Sequence, residues 1–237
     1  MNAAPRANWH TLLQWAAVAG IVESIILMLL VERSIVPPAL VIAVVLFVGV
    51  ILLRRTDRAG IRTTTIGLAL FLIVSVLFGG PDLVVAASFG SFAVSWTSVA
   101  TSAVGLTAGI ACWRRRVSGP AVARVGFAGI GVAFVAVIIG LIASLGFTDA
   151  TRLPNDVAIT AKGNDFTPTT LTAAHGQTTF FLDNTDNTLH NFHINSTSGT
   201  ENMPANHKVR FTVTLAPGTY EFLCNLHSDM KGTLTVS

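Results

Sequence analysis

The chain reads as an all-α membrane domain followed by an all-β module, and three observations predict this. Of its 237 residues, 51% are hydrophobic and only 11% are charged, and the mean hydropathy is +0.65, outside the range of ordinary soluble proteins. The long apolar runs gather before about residue 150, whereas residues 151–237 are rich in Thr and Asn and break into short alternating stretches. The charge divides at the same place: residues 1–150 carry ten basic and five acidic side chains, residues 151–237 five and seven. The basicity therefore belongs to the membrane half. It suits loops facing anionic lipid and gives no hint of nucleic-acid binding.

Residues 1–150 divide into five expected transmembrane helices, at about 9–31, 35–53, 63–79, 83–113 and 122–147. Arg6 precedes the first, and Trp9 and Trp15 suit an interface. It is too long for a signal-peptide core and has no small-residue cleavage site, so it is read as a retained helix. Glu23 lies inside it; an intramembrane carboxylate is a functional candidate, but with no basic partner in another span it is placed near the outer water interface. The second span is entered by Pro37-Pro38, where a missing N–H costs nothing. The stretch 83–113 is too short for two spans of about 20 residues each, so it is read as one tilted helix or a helix preceded by an interfacial turn near Gly90. Its Ser91, Ser95, Thr97, Ser98, Thr101 and Ser102, like the glycines of the fifth span, are read as close-packing residues. No His occurs in spans two to five, so a membrane haem on paired histidines is not expected.

Arg54, Arg55, Arg58 and Arg62 stand between spans two and three, and Arg114, Arg115, Arg116 and Arg124 between spans four and five. Both basic loops point to the cytoplasm, which puts the N-terminus inside and the C-terminal module outside.

The second domain, 151–237, follows a short linker. Apolar or β-branched stretches at Val157–Ala161, Thr169–Ala173, Thr178–Asp183, His190–Ile194, Lys208–Leu215, Thr219–Leu223 and Thr233–Val236 predict a β-sandwich or barrel. Near its end Cys224, His227 and Met230 stand three residues apart, between two predicted strands, and His190-Asn191 lies upstream. Two imidazoles, one thiolate and one thioether form the set used by mononuclear blue-copper sites, a His₂Cys plane with a weak axial Met. His193 is read as a strand residue on the face away from His190, and His175 and His207 as surface residues beside turns.

With these residues in view, 155–237 resembles a cupredoxin of the plastocyanin and amicyanin family. The Cys-x-x-His-x-x-Met spacing is similar to the short amicyanin ligand loop, and His190-Asn191 to the first-histidine motif. Asp165-Phe166-Thr167-Pro168, Gly176-Gln177-Thr178, Pro217-Gly218-Thr219-Tyr220 and Met230-Lys231-Gly232 fall where that family places similar residues. The resemblance implies a Greek-key sandwich holding one copper on His190, Cys224, His227 and Met230. It also implies that Asn191 ties the two ligand-bearing segments together, and that the loop histidine reaches the surface through an apolar patch where electrons leave. Leu226 is then either a docking surface for a redox partner protein or a cover folded back over the copper.

The cysteine count fits. Cys112 and Cys224 are expected on opposite membrane faces and cannot pair, and a loop with one Cys cannot build a dinuclear copper centre. Two classes of function stand side by side: a membrane-anchored carrier of single electrons on the outer face, and a copper-delivery or copper-sensing membrane protein that does not cycle its metal. No catalytic dyad, second metal site or substrate pocket is evident in the sequence, so the chain is not read as an enzyme.

Overall fold

The structure is a computed structural model describing residues 8–55, 57–115, 119–197 and 199–237; Arg6 and Arg116 lie outside the described residues. The chain forms two compact units. One comprises residues 1–86 and 91–141, the other Ala87–Gly90 with Ile142–Ser237.

The first unit is helical. Helix α1 (Trp9–Ile26) opens where the Asn8 side chain accepts the Thr11 amide at 2.6 Å, supplying one of the bonds a helix start lacks. It continues without a break into a π-helical turn, Leu27–Val31, in which the Glu32 amide reaches back to the Leu27 carbonyl at 2.8 Å. Helices α2 (Pro37–Arg55), α3 (Asp57–Phe78), α4 (Phe89–Trp113) and α5 (Pro120–Leu145) follow. The five helical segments are each long and apolar enough to cross a membrane. Small residues set their spacing, as expected where lipid removes the hydrophobic drive for helices to associate. A Cβ on Gly105 of α4 would run into Leu68 of α3 and come within 3.0 Å of Ala16 of α1, so three helices close on one point.

One boundary differs from the sequence reading, and one alternative is decided. Arg58 and Arg62 lie within α3 rather than in a loop before it, because Arg is a good helix former whose long stem lets its charge reach water. For 83–113, the second of the two readings holds, a helix preceded by a turn near Gly90: the stretch 83–88 is apolar but not helical. The chain turns through Gly79-Gly80-Pro81 and α4 starts only at Phe89. Glu23 also has partners: Thr101 Oγ1 donates to its Oε1 at 2.8 Å, and Ser98 bonds it too. Both partners lie near the middle of α4.

The second unit is a two-sheet sandwich. One sheet has the order β2 (Asp165–Thr167), β1 (Val157–Lys162), β4 (Gly176–Asn184), β7 (Lys208–Leu215). The other has the order β3 (Thr170–Ala173), β9 (His227–Val236), β8 (Gly218–Cys224), β5 (His190–Ile194), β6 (Thr200–Met203). Strands β2 and β6 were not predicted. The inward residues of both sheets meet in one core in which Phe166, Phe180, Phe192 and Phe222 are buried and pack at edge-to-face and tilted angles, with centroids 5.0 to 5.9 Å apart, the arrangement aromatic quadrupoles favour.

Within the second unit, residues ahead of β1 bond to the sandwich. The Ala150 amide donates to the Lys208 carbonyl at 2.9 Å, and the Ala205 amide to Ser88 Oγ at 3.0 Å. His207, expected at the surface, is largely enclosed: Nδ1 meets Asp149 Oδ1 at 3.0 Å, Nε2 meets Ser144 Oγ at 3.3 Å, and the ring lies 4.4 Å from that of Phe147. A linker that folds back onto the module supplies the partners that turn propensity alone does not reveal.

Candidate metal centre

Strand β8 carries Cys224 in as its last residue and β9 starts at His227, so only Asn225 and Leu226 separate the two strands. The sequence reading placed His227 and Met230 in a loop; both instead belong to β9. A register irregularity at Leu223/Cys224 is the kind of local defect that re-aims a side chain. Cys224 and Met230 are both buried in the module core, and His227 is half-buried.

His190 opens β5 and is fully buried. The loop before it is held by Asn184, whose Nδ2 donates to the carbonyls of Thr188 at 2.9 Å and Met203 at 2.7 Å. Asp186 in that loop accepts the backbone amides of Gly163 at 2.9 Å and Asn164 at 3.3 Å, and faces His190 Nε2 at 3.0 Å. A carboxylate only accepts, so Nε2 bears the hydrogen and Nδ1 presents a bare lone pair, the tautomer a metal requires. Asp186 was not singled out from the sequence. Its only signal there is an Asp-Asn-Thr turn ahead of the histidine.

The three donor atoms converge. His190 Nδ1 and His227 Nδ1 are 3.1 Å apart, and Cys224 Sγ lies 3.9 Å from the first and 3.6 Å from the second. The circumcentre of that triangle is about 2.1 Å from each atom, close to metal–imidazole and metal–thiolate bond lengths. These residues therefore fit a single metal ion, and soft sulfur with two imidazoles suits copper. Around the thiol, the Asn191 amide donates to Cys224 Sγ at 3.4 Å, and Asn191 Oδ1 accepts the Asn225 amide at 2.8 Å, joining the β5 start to the β8–β9 turn. Leu226 is half-buried and packs against the core. His193 faces elsewhere, its Nδ1 at 2.7 Å from Thr200 Oγ1.

Burial sets the protonation of the metal-free site. It pushes the His227 imidazole down to about 4, helped by the neighbouring His190 and opposed by Asp186. Burial also lowers His190, against the pull of Asp186. The Cys224 thiol is raised by burial, in spite of amide hydrogen bonds from Asn191, Leu226 and His227.

Residues 132–236 match the model of the cupredoxin-like domain family, and the second unit is a cupredoxin-like domain. Solved structures similar to it include a reduced variant of amicyanin, at 18% identity and TM-score 0.33 over 38% of this chain and 90% of that one. Another is a reduced Cu(I) amicyanin variant at pH 4, with 21% identity, TM-score 0.33 and the same coverage. Amicyanin from Paracoccus versutus is similar at 16% identity and TM-score 0.31 over 36% of this chain and 85% of that one. No curated protein matches the chain.

Proposed function

We propose that the module is a mononuclear type 1 copper carrier of single electrons, anchored by five spans and standing on the outer face of the membrane. The observation that carries this reading is the triangle of His190 Nδ1, Cys224 Sγ and His227 Nδ1, whose centre lies at bonding distance from all three. Met230, buried in the same core, is the proposed axial ligand. Copper held there would supply one-electron chemistry between its two oxidation states.

The chain's own residues limit how much the site must rearrange. Asp186 fixes the His190 ring, and Asn191 bridges the two ligand-bearing segments. Two β-strands joined by a two-residue turn hold Cys224 and His227 in register. Donors fixed by second-layer hydrogen bonds keep one geometry when the charge at the centre changes. The Asn191 amide, aimed at Cys224 Sγ, stabilises negative charge on sulfur. A redox partner protein would meet the module near Leu226 and His227, and such encounters bury little area.

The outer-face orientation rests on the arginines at one end of the bundle: Arg54 and Arg55 in the last turn of α2, Arg58 and Arg62 in α3, Arg114 and Arg115 after α4. Copper titration of the full-length protein tests the reading: one equivalent binds, and Cys224→Ser removes tight binding. Full retention of copper by Cys224→Ser would refute it.

A further inference from the structure

The helical unit contains a polar feature that the copper chemistry does not use. Ser91, Ser95, Ser98 and Ser102 recur at intervals of four, three and four residues along one face of α4, and all are buried. At one end of this file Ser91 bonds Asp82, whose Oδ1 is buried without a partner. Ser95 Oγ lies beside Gly79 at the end of α3. Further in, Ser98 and Thr101 hold Glu23. Glu23 Oε2 is buried and unpartnered, and so is the hydroxyl of the fully buried Ser102 one turn beyond Ser98.

Beyond that level the hydroxyl file on α4 stops, and the next buried hydroxyl, Thr64 of α3, stands one helical turn past Leu68. Leu13, Ala17, Leu46 and Leu68 are fully buried there, and Gly105 packs directly on Leu68 and Ala16. From Ser91 to Ser102 the file climbs about 16 Å at the α-helical rise, roughly half of an apolar bilayer core of about 30 Å. Cβ atoms a turn apart on one helix face stand about 5–6 Å from one another, close enough for one bridging water to join neighbouring hydroxyls.

We propose that Glu23 is a reversible proton-binding site, reached through the α4 hydroxyl file from the Asp82 end of the bundle and sealed from the other end. Hydroxyl partners suit both states of a carboxyl group: they donate to the carboxylate and accept from the acid. A basic partner would hold Glu23 permanently ionised, and none faces it among the described residues. The charged groups on and beside the surrounding helices lie at the bundle ends, with Asp82, Glu32 and Arg33 at one and Arg54, Arg55, Arg58, Arg62, Arg114, Arg115 and Arg124 at the other, along with His10. The π-helical turn that starts four residues after Glu23 is a distortion often found at functional sites.

Infrared difference spectroscopy on the full-length protein in lipid nanodiscs, stepped from about pH 5 to about pH 9, tests the proposal. Wild type should show a protonated-carboxyl band that disappears as pH rises and shifts in D₂O, and Glu23→Gln should lack it. Ser95→Leu, with Ser91→Val as a second block, should keep the band while slowing its deuterium exchange about tenfold. A Glu23 that never changes protonation over that range, or exchange as fast in both blocked variants as in wild type, would overturn the proposal.

Discussion

Asp186 Oδ2 accepts from His190 Nε2 at 3.0 Å, and this one bond decides which face of the imidazole looks toward Cys224. The carboxylate is itself pinned by the amides of Gly163 and Asn164, so a turn in the opposite sheet orients the metal ligand. Removing its charge without its shape, as in Asp186→Asn, should weaken copper binding by about 10- to 100-fold, the usual cost of losing such a partner. It should also raise the reduction potential, because a less basic imidazole stabilises the oxidised ion less. Competition titration and potentiometry report both; unchanged values would show that the bond has no hold on the site.

The sulfur ligands should separate cleanly. Cys224→Ser should abolish the intense visible thiolate-to-copper absorption, whereas Met230→Leu should keep copper and colour and shift the potential. If both variants lost copper equally, Met230 would not be a weak axial ligand.

Copper affinity should depend on pH through one proton. The thiol is raised and must lose its proton on binding, while His227 stays neutral down to about 4 and His190 is lowered as well. From about pH 6.5 to about pH 8 the apparent affinity should therefore rise about tenfold per pH unit. Below about 4 the loss should steepen as His227 takes up a proton in competition with the metal. A slope of two protons across the upper window, measured with a competing chelator, would contradict this assignment.

Leu226 is packed against the core yet half-exposed, which allows it to meet a partner while shielding the site. Leu226→Asp should slow electron exchange with a partner oxidase or reductase and leave the spectrum nearly unchanged. Exchange at the wild-type rate, together with a lower unfolding temperature, would mark it as a cover only.

Orientation can be read by labelling with a membrane-impermeant thiol reagent in a Cys112→Ala background. A Cys introduced at Ser34 or Thr151 should react from outside, and one at Ala59 should not. The reverse pattern would put the module in the cytoplasm.

The helices were legible in the sequence because an apolar run long enough to span a bilayer has few other uses. Their ends were less so: hydropathy does not register a turn, so 83–88, as apolar as a helix, left a longer tilted helix and a turn near Gly90 both open. Strands β2 and β6 span three and four residues, too few for alternation to show. The Cys224, His227 and Met230 spacing was visible because the three lie within seven residues of one another. Asp186 was not, because its anchors at Gly163 and Asn164 stand more than twenty residues away. Glu23 looked isolated for the same reason: its partner Thr101 is 78 residues distant.

Reversible cycling of the bound metal separates a carrier of single electrons from a copper-delivery module. The full-length protein loaded with one equivalent of copper should be titrated through oxidation and reduction while its visible spectrum and its bound copper are followed together. An intense absorption should bleach on reduction and return on oxidation through repeated cycles, with copper retained throughout. Loss of copper on the first change of oxidation state, or a site that cannot be cycled, would contradict it and leave copper delivery as the function of the module.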